Sequence, residues 1–320
     1  MSRNDTNRER FSSQKSKLEK EQPKLSSDDI VLAFSPIFLI AITSPLEVIK
    51  LRLQTQNEML KKGTINKPYE GFIDCFKRTI REDESGIRAL WKGNLVNMLR
   101  YFPNQMINFI LMYNFQSRLS INANKHSKVS IMYWNLLAGG LSGIVSNIIL
   151  YSLDVSRTKL STDQRNPITK QKQFKGFFNV YAKSYREGGI RAIYSGFVIS
   201  CFSSMIVRSF QLGLIEFINT EVISKDKSSN EYLAKVSLTI SAITAVIEYP
   251  FDTIKRKMMV ASVGPQPYLS SIKCSKQLMN REGAVGFYKG FFALLIKGFI
   301  SLPATWIYTK LRIEVSKEKV

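Results

Sequence analysis

The feature that most limits what this chain can fold into is a unit of about a hundred residues that occurs three times. SPLEVIKLRLQ begins at Ser44, YSLDVSRTKLS at Tyr151 and YPFDTIKRKMM at Tyr249. In each, an acid (Glu47, Asp154, Asp252) precedes a base (Lys50, Arg157, Lys255) by three residues, and successive acids stand 107 and 98 residues apart. A second landmark, GIRALWKG, GIRAIYSG and GAVGFYKG, ends on Gly93, Gly196 and Gly290. A third, YEGFIDCFKR, FKGFFNVYAK and YLSSIKCSKQ, lies between them. Three ordered landmarks in three copies define a repeat protein whose units bury their apolar faces against one another.

Each unit holds two apolar stretches, 30–54 and 94–119, 133–160 and 197–220, 234–259 and 291–313. Their cores approach the ~20 residues that span a bilayer. Ser, Thr, Asn, Gln and a few charges interrupt them, which holds the mean hydropathy to −0.09. Helices with one polar stripe and one apolar face suit a bundle around a water-filled cavity. Shorter amphipathic pieces at 71–82, 177–187 and 270–281 separate the two stretches of each unit.

The net charge of +21 points to an anionic partner. Nucleic acid is not expected, because no face interleaves basic with aromatic residues. One histidine, His126, and three unpaired cysteines (Cys75, Cys201, Cys274) leave no metal site and no disulfide frame. No phosphate-cradling glycine loop or nucleophile–base pair is present, so an enzyme is not expected and no cofactor is assigned. Residues 1–29 carry seven bases against six acids and no apolar core, and read as a disordered polar tail. The repeats are expected at 30–120, 130–222 and 232–316, as one integral membrane domain.

Acid and base three apart share a helix face. With threefold pseudosymmetry, each acid can meet the base of the next unit and close one end of a central cavity. An unpaired charge at membrane depth costs ~2.5–3.5 kcal/mol or more, so such a ring opens only against an offset, and bound solute can supply it. Pro45 and Pro250 are expected to bend the first helix of units one and three. In unit two Ser152 stands in that place, where a hydroxyl bonded back to the i−4 carbonyl gives a weaker hinge.

The three P-x-[D/E]-x-x-[K/R] units, each followed by an aromatic-basic-glycine step, resemble the mitochondrial carrier family from about residue 30 to the end. WKGNLVNMLRYFPNQMINF, RTKLSTD, FKGFFNVYAKS and KRKMMV are similar to its ADP/ATP carrier branch. The resemblance implies an all-α membrane protein with six tilted transmembrane helices in three pseudo-symmetric repeats. Each repeat adds a short matrix-side amphipathic helix, and the whole sits as a multi-pass protein in the mitochondrial inner membrane. It implies exchange of adenine nucleotides or another phosphorylated anion by alternating access. By the same resemblance Glu47 pairs with Arg157, Asp154 with Lys255 and Asp252 with Lys50, with Gln54 bracing the first pair.

Arg100, Asn108 and Arg208 match family positions that bind nucleotide, Lys297 stands for an arginine there, and Ser203 and Ser204 replace an adenine-receiving pair. Ile40 and Val207 replace a phosphate-binding lysine and a stacking tyrosine. Gly71, Gly93, Gly176, Gly196 and Gly290 fall where family members hold cardiolipin, while unit three has Ser270 in place of a further glycine. The cytoplasmic gate reads Tyr113/Gln116, Glu216/Asn219 and Thr309/Arg312, leaving Glu216 and Arg312 as its charged remnant. These losses support a second reading, a transport-impaired homologue acting as an accessory subunit of a respiratory complex. Unit one carries two extra residues between Asp74 and Gly86. Glu248, in an apolar helix, has no assigned part.

Overall fold

A computed structural model describes residues 27–120, 128–166, 171–218, 230–264, 267–301 and 303. It describes side chains over the same ranges except 27–35, 108–109, 111–120, 128–142, 208–218 and 230–238. The described residues are helical and contain no strand. Unit one comprises α1 (Ser27–Lys61), α2 (Phe72–Glu82) and α3 (Asn94–Ser120), unit two α4 (Lys128–Thr162), α5 (Phe177–Ile193) and α6 (Phe197–Ile218). Unit three comprises α7 (Asn230–Ala261), α8 (Ser271–Glu282) and α9, residues 291–301. The expected tail lies outside the described residues except for its last three, Ser27–Asp29, which already belong to α1. Acids in a first turn suit the positive end of the helix dipole.

The long helices form a ring, α1 against α3, α3 against α4, α4 against α6 and α6 against α7. The odd members α1, α4 and α7 also touch one another, so the bundle narrows where their C-terminal halves converge. There the chain buries both apolar and charged side chains, including Ile49, Val155, Ile254 and Met259 with Arg52, Lys159 and Lys257. The outward faces carry large apolar groups in the open: Phe38, Leu95, Val198 and Phe299 are each at least 70% exposed. Among the described residues, Ala284–Ser301 is long and apolar enough by itself to cross a bilayer, with mean hydropathy 1.4.

Helix α1 runs through Pro36 and Pro45, and α7 through Pro250. A proline frees the carbonyl four residues before it, and for Pro45 that carbonyl, Ala41 O, accepts the Trp91 indole N–H at 2.9 Å. Unit two differs from expectation. The hydroxyl that turns back onto α4 belongs to Ser156, which donates to Ser152 O at 3.2 Å and Leu153 O at 3.0 Å. Ser152 itself donates no such bond among the described residues.

The landmark glycines Gly93, Gly196 and Gly290 open α3, α6 and α9 with φ of 77°, 84° and 84°. At Gly93 a Cβ would sit 2.6 Å from Ser161 Oγ and 2.8 Å from Arg157 O, in the next unit. The other two approach Lys255 O and Lys50 O in the same cyclic order. Glycine is therefore demanded by both backbone and space where each unit seats on the ring base of the next. Gly71 and Gly176 are extended at φ 176° and 165°, with open space where a Cβ would be. At the equivalent place, Ser270 caps α8 by accepting from Lys273 N–H at 3.2 Å.

Candidate functional site: an ion-pair ring beneath a charged cavity

The i and i+3 spacing turns each acid–base pair inward from α1, α4 and α7, and the convergence of these helices brings the pairs together. Arg157 Nη2 lies 2.6 Å from Glu47 Oε2, Lys50 Nζ 2.8 Å from Asp252 Oδ2, and Lys255 Nζ 3.3 Å from Asp154 Oδ2. Each link joins two units. Gln54 is placed otherwise than expected: its amide donates to Asp252 Oδ2 at 3.3 Å and Thr253 Oγ1 at 3.2 Å. It thus braces the Asp252–Lys50 link instead of Glu47–Arg157, because α1 packs its Gln54 face on α7.

Arg256, assigned no part from sequence, completes the ring. Its guanidinium reaches Asp154 Oδ1 at 2.8 Å and Asp252 Oδ1 at 3.1 Å, and donates to Thr158 Oγ1 at 2.5 Å. Leu51 and Thr158 follow the ring base in the other units, so this extra cation breaks the threefold pattern. The residue after the ring base in KRKMMV was the available signal. Lys297, expected to bind solute, pairs with Glu47 Oε1, so Glu47 is held by two cations.

Above the ring lies a cavity of about 480 Å³. Its wall carries Lys50, Arg100, Arg157, Lys255, Arg256 and Lys297 against Glu47, Asp154, Glu248 and Asp252, an excess of two positive charges. Arg100 on α3 donates no hydrogen bond among the described residues, and its Nε is buried without a partner. Ile40 and Val207 contribute apolar wall. Of the two serines expected there, Ser204 lines the cavity and is bonded by Asn147 Nδ2 at 2.6 Å. Ser203 is buried and off the cavity wall, since one residue along a helix turns a side chain by about 100°. Asn108, Arg208 and Glu216 lie on α3 and α6, where side chains are not among those described, and Arg312 lies outside the described residues.

Beyond the ring, a second set of charges ties the short helices to the long ones. In unit three Glu282 takes Lys257 at 2.7 Å and Lys289 at 2.6 Å. In unit one Asp83 takes Lys92 and, at 3.9 Å, Arg52. Burial pushes both carboxyls up, but the bonds from these cations outweigh it and hold Asp83 and Glu282 below the ordinary range. The two extra residues of unit one are part of this arrangement: they form the turn Asp83–Gly86, closed by Gly86 N–H to Asp83 O at 2.8 Å, which carries the acid. Burial also pushes the thiols of Cys75 and Cys274 up to about 12, which leaves them as packing groups.

The family model for mitochondrial carrier proteins matches residues 30–122, 130–226 and 231–317. The chain is 34% identical over 273 residues to the ADP,ATP carrier protein of Schizosaccharomyces pombe, covering 84% of each. It is 34% identical over 274 residues to ADP,ATP carrier protein 1 of Saccharomyces cerevisiae, covering 84% of this chain and 87% of that one. To the ADP,ATP carrier protein of Neurospora crassa it is 33% identical over 294 residues, covering 91% and 93%. The chain belongs to the mitochondrial carrier family, as a divergent member.

Proposed function

We propose that this protein is a multi-pass carrier of the mitochondrial inner membrane that exchanges adenine nucleotides, or another phosphorylated anion, by alternating access. The observation that carries this reading is the net positive cavity, with Arg100 unengaged on its wall, closed at one end by links between all three units. The apolar outer faces support six tilted spans with lipid around them. The names of the relatives favour transport over the accessory-subunit reading and over an enzyme.

In this reading Arg100, Asn108, Arg208 and Lys297 receive the anionic end of the solute, with Ser204 on the wall. Lys297 is paired with Glu47, and a phosphate that draws it away takes one of the two cations from an acid that also holds Arg157. Binding then loosens a contact between units three and one, which is how solute offsets the cost of opening. A ligand shifts such an equilibrium only by its differential affinity for the two states. Glu216 and Arg312 are the remnant that closes the far end. Pro45 and Pro250 mark where the first helices of units one and three flex. The backbone N–H groups at Gly71, Gly93, Gly176, Gly196 and Gly290 suit cardiolipin phosphates, as helix N-termini do.

Purified protein in liposomes loaded with ADP should take up labelled ATP or ADP with saturation, and uptake should require internal substrate. Arg100→Ala should abolish it. Absence of flux across a broad panel of nucleotides and other anions would overturn the proposal, and stoichiometric co-purification with a respiratory complex would then favour the accessory reading.

A further inference from the structure

Of the acids on the cavity wall, Glu47 and Asp154 each hold two cations and Asp252 three. Glu248, one turn before Asp252 on α7, makes no hydrogen bond or ion pair among the described residues, yet lines the same cavity. The charges that act on it are Asp252, Lys255, Lys50 and Arg256, and the three cations among them are already spent on the ring. A carboxylate out of bulk water without a partner is costly, and here it faces open space large enough for a solute. On another wall Arg100 is a cation in the same condition.

We infer that Glu248 is a recognition residue for a positive or N–H-bearing group on the transported solute, so that the cavity is built for anions that also carry an amino function. Arg100 takes the anionic end and Glu248 the amino end, each supplying the charge the other cannot. This inference rests on the carrier reading and names its substrate class: a phosphorylated or carboxylated compound with an amino group, such as an aminopurine nucleotide or an amino acid, in preference to its deaminated analogue. A carboxylate also costs the cavity affinity for an anion without such a group.

The test is competition for exchange in liposomes by matched pairs that differ only in the amino group: ADP against purine riboside diphosphate, aspartate against succinate, phosphoethanolamine against ethyl phosphate. A hydrogen bond to a charged group makes the amino member of at least one pair the better competitor by about tenfold or more. In Glu248→Leu that preference should fall to within about threefold, while the succinate-type member competes as well or better. Glu248→Gln, nearly isosteric, should lose the preference for ammonium groups and keep part of that for a neutral N–H donor. Exchange with no amino preference in any pair, or a preference that survives in Glu248→Leu, would overturn the inference and leave the carrier reading standing. Exchange that shows no preference but follows an imposed pH gradient, lost in Glu248→Gln, would overturn it in favour of proton carriage. No exchange of any anion would overturn both.

Discussion

Units one and three anchor their short helices with a shared acid; unit two does not. Glu282 binds the long-helix base Lys257 and the turn base Lys289, and Asp83 does the same for Arg52 and Lys92. In unit two the corresponding long-helix base, Lys159, is 2% exposed and, among the described residues, donates to the Ser184 hydroxyl alone, at 2.8 Å. Ser195 stands where the others have a turn lysine, and Glu187 faces outward, 3.8 Å from Lys183. All three units break at a positive-φ glycine, Gly86, Gly189 and Gly283; the difference is that Gly188 stands before it in unit two where unit three has Glu282, and Glu187, one residue earlier, is exposed. Two clamped joints and one unclamped joint make the ring end mechanically unequal, and the unclamped one is in the unit whose serine replaces proline.

The largest effect should come from breaking a clamp. Glu282→Gln strands Lys257, whose side chain is 3% exposed, and removing one partner of a buried pair costs ~3–5 kcal/mol. Thermal unfolding in detergent should show a drop of several degrees. Glu187→Gln in unit two should shift stability by no more than ~0.5 kcal/mol, as for an exposed pair. Equal losses would erase the contrast between the units. The Glu282 carboxyl is held below its ordinary value of 4.5, so its contribution is present above that pH and lost as pH falls through the depressed value. The gap between the parent protein and Glu282→Gln should therefore close in acid.

A smaller effect is expected from giving unit two the proline of its neighbours. Ser152→Pro removes one ladder bond and frees the Ile148 carbonyl. In unit one the equivalent carbonyl is retaken by the Trp91 indole; in unit two that position is Tyr194, which stacks on Tyr151 with ring centroids 6.0 Å apart. The cost should be ~1–2 kcal/mol, below the ~3 kcal/mol of a proline in an ordinary helix interior, because the same fold accepts proline there twice. A loss above that range would mean that α4 has settled into a geometry of its own.

The repeat, the short helices and the ring partners were legible because each is written three times, and recurrence separates a shared geometry from a solvated pair. What was hidden is whatever departs from the repeat. Arg256 occurs in one unit only, so no recurrence marked it. Gln54 sits where α1 faces both neighbours, and spacing alone does not say which acid it meets. Ser203 and Ser204 are adjacent, and only the rotation of α6 decides which reaches the cavity. The second base, Arg52, Lys159 and Lys257, recurs two residues after each ring base and was readable in principle. Its partners were not, because the acid lies at a different offset in each unit.

The contrast between the units is sharpest in sign when the second base is removed, and at Lys159 the change is small. Lys159→Met and Lys257→Met each remove a buried ammonium at equivalent positions and leave an unbranched side chain of similar reach. Lys257→Met takes from Glu282 its better-buried cation and leaves that carboxylate, 7% exposed, to Lys289 and the Asn57 amide, so stability should fall by several kcal/mol. Lys159→Met strands no charge; it removes a desolvated cation whose partner is a neutral hydroxyl. Its stability should change by less than ~1 kcal/mol or rise, since replacing an uncompensated buried ion by an apolar group is neutral to favourable. Denaturant midpoints of the two variants against the parent give the comparison directly. A loss at Lys159 equal to that at Lys257 would show that unit two has an acid partner after all, and that its joint is clamped by a contact formed only in another state of the ring.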